Sequence, residues 1–433
     1  MSYNRLERGL ASLLDAAPGV RRLAKSGYQR INYLLRGGRG DCLRLHPDVS
    51  IERIGAGTGA ELDPAQQYFF GYFGVSPWSA DGKRYLFHRW LQGRPTIDLC
   101  VQHRGDSTPR VLGTSRTWNF QQGSMTQWLP QAGGAAAIVF NDCRERRLCC
   151  RIVTADGHER SFDWPIQAVH PHGTHALSLN YLRLSRVQPE YGYDVVADNF
   201  SAELPVDQDG LWRVDLQSGA SGLLVSLQDL EEHAPRADMG EAEHQVNHAV
   251  YSPGGKRIVF MHRWLGRLGK FSRLFCAAAD GSDLRLLLDH RMVSHYAWRD
   301  DNSLLVWARA PEHGDRYYVI DVTTGRRDVC GAGTLDRFGD GHPSFSPDGR
   351  WIVTDSYPDR ARMRHLLLCR LEGGEVIEAG AFHSPWRYDG AVRCDLHPRW
   401  SPDGRSISID SAHEGVRRTY AVDVSQLVRS KRD

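Results

Sequence analysis

The 433-residue chain has no stretch approaching 18 consecutive apolar residues, which excludes a membrane-spanning helix of ordinary length. Charge of one sign is also missing. With 54 Lys+Arg against 52 Asp+Glu the net charge is +2, so the chain is not the uniformly basic kind that binds nucleic acid, and no nucleic-acid partner is expected. There is no Cys-x-x-Cys pair, and the nine cysteines are odd in number and scattered from Cys42 to Cys394. They read as reduced, mostly small core residues of a cytoplasmic chain. The first thirty residues carry Arg5, Glu7, Arg8 and Asp15 where a secretion signal needs an apolar run, so the expected compartment is the cytoplasm. Nucleotide chemistry has no foothold: Gly-x-x-x-x-Gly-Lys-Ser/Thr does not occur, and Gly55-Ala56-Gly57-Thr58-Gly59 lacks the dinucleotide spacing. A Gly-x-Ser-x-Gly elbow is absent too.

What is present is one phrase, repeated. Ser76-Pro77-Trp78-Ser79-Ala80-Asp81-Gly82-Lys83, Ser252-Pro253-Gly254-Gly255-Lys256, Ser346-Pro347-Asp348-Gly349-Arg350 and Ser401-Pro402-Asp403-Gly404-Arg405 are variants of a tight turn, each followed by apolar strand residues. Proline fixes φ at the second turn position and glycine accepts the left-handed conformation that closes a hairpin. The starts differ by 176, 94 and 55 residues, so fainter copies must intervene. They lie at Gln131–Gly134, Pro171–Gly173 and Asp300–Ser303, each again followed by an apolar strand. Seven hairpins at a period of roughly 40 to 50 residues, without helical periodicity, predict an all-β, seven-bladed β-propeller over residues 46–433.

Two segments fall outside the period. Residues 1–45 hold nine Lys+Arg against Glu7, Asp15 and Asp41, and their leucines allow two short amphipathic helices. This basic helical extension either packs on the propeller or makes a peripheral contact with an anionic inner-membrane surface. The acidic stretch at about 216–243 reads as a long irregular connection.

In a propeller, if the Pro-Asp-Gly turns mark one face, the heads of the inner strands and the tails of the second strands gather at the other. The heads are Tyr72, Gln122, His248, His295, His342 and His397; the tails are His88-Arg89, His262-Arg263, Asp355 with Tyr357, and Asp410 with His413. Four histidines from four successive blades converge on one axis and need no local motif to make a ligand or metal site. Asp395, two residues before His397, shares its strand face and adds an oxygen ligand. Mixed nitrogen and oxygen ligands suit manganese, zinc or iron better than calcium. His-Arg-Trp occurs twice, at His88-Arg89-Trp90 and His262-Arg263-Trp264, which sets guanidinium beside an aromatic platform and points to an acidic sugar. Tyr191-Gly192-Tyr193 lies near another head. Core filling is the competing reading for all of these aromatic and tail residues.

The residues Gly341-His342-Pro343-Ser344-Phe345-Ser346-Pro347-Asp348-Gly349, Asp395-Leu396-His397-Pro398-Arg399-Trp400-Ser401-Pro402-Asp403-Gly404 and Asp410-Ser411-Ala412-His413-Glu414-Gly415 resemble the blades of oligogalacturonate lyase. The repeat at large resembles that of the Tol-system periplasmic propeller. The lyase resemblance implies a divalent metal, manganese first with zinc or calcium as alternatives, on His342, Asp395 and His397. It also implies His295 as the base and Arg263 against the substrate carboxylate. Asp395 departs from that family's pattern, where a histidine is expected. The implied reaction is β-elimination on a uronic-acid-containing oligo- or polysaccharide, with His248 a further catalytic candidate. Tyr72, His88, Arg89, Gln122, His262, Tyr193 and Tyr357 are the candidates for substrate binding, and Tyr72, Tyr193 or Tyr357 for protonating the leaving oxygen. The alternative is a non-catalytic platform that binds a glycan or protein, in polysaccharide assembly at the inner membrane. A glycoside hydrolase is disfavoured because no opposed carboxylate pair stands out.

Overall fold

The computed structural model describes residues 41–55, 62–130 and 137–429. The described strands form seven antiparallel sheets, six of four strands and one of five. Blades 1 to 5 start at the strands Gln66–Phe69, Gln127–Leu129, Ala168–Val169, Glu243–Tyr251 and Val293–Trp298. Blades 6 and 7 start at Ser344–Phe345 and Arg399–Trp400. Ser50–Ile54 pairs with Arg418–Asp423 and so becomes the outer strand of blade 7, which staples the two ends of the ring together. Leu43–Leu45 adds a fifth strand to blade 6 through Val376–His383. The propeller therefore starts before the expected boundary at residue 45, and residues 1–40, where the basic extension was expected, lie outside the described residues.

Three turns of the repeat are built the same way. In blades 1, 6 and 7 the serine hydroxyl donates to the aspartate two residues on (Ser79–Asp81 2.5 Å, Ser346–Asp348 2.6 Å, Ser401–Asp403 2.6 Å). The following glycine takes φ near +67° (Gly82, Gly349). Blade 4 has glycine in place of that aspartate, and Asp301 of blade 5 supplies the carboxylate instead, accepting from Gly254 N at 2.7 Å.

The core is a ring of seven inter-blade layers. Ile54 and Ala421 of blade 7 pack on Tyr68, Trp78, Tyr85 and Phe87 of blade 1, closing the circle. The remaining clusters bridge each successive pair of blades. Seven of the nine cysteines are buried and all are free, as their scatter implied.

The acidic stretch 216–243 is an irregular connection only in part, over residues 216–220 and 234–242. It holds the outer strand Ser221–Ser226 of blade 3 and a helix, Leu227–His233, begun by a capping box in which Ser226 and Asp229 bond each other's backbone. Asp229, Glu231 and Glu232 belong to this helix, whereas Asp238 and Glu241 lie in the turn after it and Glu243 opens the first strand of blade 4. A second excursion, residues 179–209 between two strands of blade 3, carries the helix Tyr181–Val187 and runs on to Tyr191. Among the described residues no helix is long and apolar enough to cross a membrane.

Candidate functional site

The histidine heads do converge. Ring centroids of His295 and His342 are 4.1 Å apart, those of His342 and His397 4.2 Å, and those of His248 and His295 6.4 Å. Phe73 sits among all four, 5.2 Å from His342 and 6.3 Å from His248 at the extremes. The backbone is bent to achieve this. His248 and His397 adopt φ of +56° and +44°, conformations a non-glycine residue takes only under constraint. His248 also lies where the blade 4 ladder shifts register, which turns its side chain toward the axis.

Two carboxylates hold the imidazoles. Asp355 Oδ1 accepts from His342 N and lies 2.8 Å from His342 Nδ1, while its Oδ2 accepts from Leu396 N (3.1 Å) and His397 N (3.2 Å). One side chain at the tail of blade 6 thus fixes the heads of blades 6 and 7. Asp340 does the same for His295, with 3.1 Å between Oδ1 and Nδ1. A neutral imidazole that donates from Nδ1 keeps its lone pair on Nε2, so both rings are set to accept a proton or a metal there.

The ligand atoms of His342, Asp395 and His397 all lie within 4.8 Å of one another. This set of two imidazoles and a carboxylate fits a divalent first-row ion. Asp395 shares its charge with two cations: Arg364 Nη1 is 2.7 Å from Oδ1 and Arg393 Nε is 2.7 Å from Oδ2. Burial acts to raise the Asp395 carboxyl, but the two guanidiniums hold it well below the usual carboxylate range. Any bound ion must therefore share an already neutralised carboxylate.

The chamber is closed on both sides. Toward the turn face, Tyr72 and Phe73 form the floor of an axial funnel of about 500 Å³ rimmed by turn residues such as Pro253, Pro347 and Pro402. On the other face, Arg393 Nη2 donates to Tyr191 Oη at 2.9 Å, Gln121 Nε2 to Arg393 O at 3.0 Å, and Asn119 Nδ2 to Gly192 O at 3.2 Å. Loops of blades 2, 3 and 7 meet there as a roof. Burial pushes His248, His295 and His397 below the ordinary imidazole range, and Arg263 reinforces this at His248, so these rings are neutral near pH 7.

The other predicted residues divide. Tyr72 stacks on His248 and its hydroxyl lies 3.2 Å from Nδ1. Tyr357 packs on His295 and His342 (6.5 and 5.9 Å between centroids). Arg263 borders the chamber, donating to Gln188 Oε1 at 2.8 Å. Gln122 is buried with neither polar end partnered. The remaining four are corrected: His88, Arg89, His262 and Tyr193 do not face the chamber. His88 bonds Thr126 of blade 2 at 2.9 Å. Arg89 pairs with Asp98 across its own blade. His262 is locked between His244 and Arg273 (2.9 and 3.0 Å). Tyr193 stacks on Tyr181 and accepts from Asn141. The physical reason is shared by His88, Asp355 and Asp410: a second-strand tail abuts the next blade, so its side chain latches that blade's inner strand. Asp410 accepts from Phe70 N and Gly71 N of blade 1 in this way.

Sequence reasoning missed Phe73, Asp340, Arg364 and Arg393. Asp340 had a usable signal, standing two residues before the head His342, but the residue it holds is in the preceding blade. The arginines lie on a third strand and a loop, where the repeat offers no guide.

No protein-family model matches the chain, and no curated protein matches it in sequence. Among solved structures, an oligogalacturonate lyase in complex with manganese aligns with a TM-score of 0.61 at 16% identity, over 90% of this chain and 100% of that one. An oligogalacturonate lyase from Vibrio parahaemolyticus aligns with a TM-score of 0.59 at 14% identity, over 88% and 98%. The chain is a seven-bladed β-propeller, and the oligogalacturonate lyases are among the propellers whose fold it shares.

Proposed function

We propose that this protein is a lyase that cleaves a uronic-acid-containing oligo- or polysaccharide by β-elimination. The observation that carries the reading is His295: neutral, oriented by Asp340, and packed against His342 inside the set His342, Asp395 and His397. The C5 proton of a uronate is too weakly acidic to remove unless the adjacent carboxylate is neutralised. Arg263 supplies one positive charge at the chamber wall. A divalent ion held by His342, Asp395 and His397 would supply a second, polarising the carboxylate as a Lewis acid. His295 Nε2 takes the C5 proton, the C5–H electrons form the C4–C5 double bond, and the C4–O bond breaks. The leaving oxygen is protonated by Tyr357, which burial and the neighbouring Asp340 and Asp395 keep in the phenol form. Tyr193 is excluded from that role by its place in the core, and Tyr72 is engaged with His248.

The test is incubation with oligogalacturonate and other acidic glycans, following unsaturated-uronide absorbance. Turnover lost in His295→Ala, with the fold intact by circular dichroism, is the expected result; turnover unchanged in that variant removes the assigned base. The closed roof and the double arginine pairing of Asp395 favour a second reading, a platform that binds an acidic glycan without turnover. Stoichiometric binding without metal dependence or product would select it. We place the protein in the cytoplasm, with peripheral contact at the inner membrane through residues 1–45 as the accompanying proposal.

A further inference from the structure

The phrase His-Arg-Trp occurs twice, and the two arginines have opposite fates. In blade 1 the residue directly across the ladder from Arg89 is Asp98, and the two form an ion pair at 2.7 Å. In blade 4 the residue across from Arg263 is Ser272, whose hydroxyl is spent on the backbone of Val293. Arg263 therefore has no carboxylate partner among the described residues; it meets Gln188 Oε1 and the Met261 sulfur, and its Nε is buried without a partner.

A second cation joins it on the same hairpin. Leu265 pairs with Lys270, two positions along from the Arg263–Ser272 pair, so the period of two places Arg263 and Lys270 on one face of the ladder as diagonal neighbours. Lys270 also forms no ion pair among the described residues; Glu190 acts on it only from beyond that distance. Some strand cations of other blades are neutralised, Arg151 by Asp142 and Glu159 and Arg309 by Asp315. Two adjacent like charges without a carboxylate partner repel, and an anion seated between them would relieve that repulsion. Burial and the nearby Arg263 press the Lys270 ammonium down to about 8. Arg263 meets Gln188, and Arg393 of the roof acts electrostatically on Lys270, so the pair stands at the edge of the roof over the histidines.

We infer that Arg263 and Lys270 form a two-cation subsite for the carboxylate of an acidic sugar, Arg263 from the chamber wall and Lys270 from the edge of the roof. Lys270 is then a specificity-determining residue, and the identity of the anion as a uronate rests on the lyase reading above.

Lys270 is one of five lysines in the chain, which makes amine labelling a clean probe. The full chain, as wild type and as His295→Ala so that substrate is not consumed, is treated with limiting acetic anhydride near pH 7.5, and each lysine is read by peptide mass spectrometry. Lys83 and Lys256 serve as internal references. Lys270 is expected to label faster than both, and oligogalacturonate is expected to protect it while a neutral maltooligosaccharide is not. Arg263→Gln should weaken that protection about tenfold in the concentration needed, the scale of one charge-assisted contact. Absence of protection, or equal protection by the neutral glycan or by sulfate at matched ionic strength, overturns the subsite. Protection without turnover leaves the subsite standing and removes the lyase reading; turnover without protection does the reverse.

Discussion

Asp355 is the carboxylate on which the site is hung, and its removal is the sharpest perturbation available. It receives three backbone N–H groups, from His342, Leu396 and His397, and the Nδ1 of His342, and it is almost fully buried. In Asp355→Ala all four donors lose their acceptor inside the blade 6–blade 7 seam. A buried donor left unpaired costs about 1–3 kcal/mol, so three backbone groups set the loss of stability at about 3–6 kcal/mol once water entering the vacated space satisfies some of them. The same change frees the His342 ring to turn, and loss of such an orienting carboxylate lowers metal affinity by about 10–100-fold. Asp410→Ala is the control, because Asp410 makes the equivalent latch to Phe70 N, Gly71 N and Thr419 but touches no candidate ligand. Urea denaturation followed by circular dichroism, with manganese binding measured on the folded proteins, separates the two effects. Both variants should lose stability and only Asp355→Ala should lose metal. An Asp355→Ala protein within about 0.5 kcal/mol of wild type, the size expected of an inconsequential substitution, would refute the latch argument; equal metal loss in both variants would refute the assignment of Asp355 to His342.

Acid should unfold this protein through its histidines. His248, His295 and His397 have folded pKa values depressed by burial, so below the unfolded value of about 6.5 the unfolded chain binds more protons and stability falls as pH drops. Each contributes a slope of about 1.4 kcal/mol per pH unit there, and a melting temperature flat between pH 7.5 and 5 would contradict the burial of neutral rings. Gly341→Ala should destabilise by about 1–3 kcal/mol and weaken metal binding, because a methyl group at 341 would overlap the Asp355 carbonyl oxygen and displace the adjacent His342; thermal melts and metal titration check both effects. Tyr191→Phe removes the hydroxyl that Arg393 grips, costs about 1 kcal/mol, and should speed modification of the chamber histidines by diethyl pyrocarbonate; an unchanged rate would mean the roof is not the way in.

The propeller was legible because its signal is local and repeated. Ser-x-Asp-Gly specifies a turn by hydrogen bonds within five residues, and each copy is followed by the strand it launches, as at Ser346–Asp348 and Ser401–Asp403. The convergence of His248, His295, His342 and His397 was legible for a related reason: the head of every inner strand faces the axis, so equivalent positions meet whatever lies between them. The tails were misread because their partners lie on the next blade, as for His88, or on their own, as for Arg89 and His262, and not in the channel. His88 and Asp410 occupy comparable tails, and both spend their polar atoms on the following inner strand. A histidine tail next to an arginine therefore carries no information about ligands until the residue across the ladder is known.

That last point is where one copy of a repeat can differ from another in function without differing in its own residues. His88-Arg89-Trp90 and His262-Arg263-Trp264 are the same three amino acids on the same strand of their blades. Whether the guanidinium is a structural ion or a free charge is decided nine residues later in both cases, by Asp98 in blade 1 and Ser272 in blade 4. Exchanging that determinant should exchange the behaviour. Asp98→Ser is expected to leave Arg89 unpaired, and because the arginine side chain of that pair is 29% exposed the cost is only about 0–1 kcal/mol. It should create no uronide binding, since Arg89 has no cationic neighbour equivalent to Lys270 and no opening onto the histidines. A gain of oligogalacturonate binding in Asp98→Ser, measured by titration calorimetry with Arg263→Gln in the same chain, would show that a free arginine at this position is sufficient. It would then displace the chamber wall as the reason Arg263 is special.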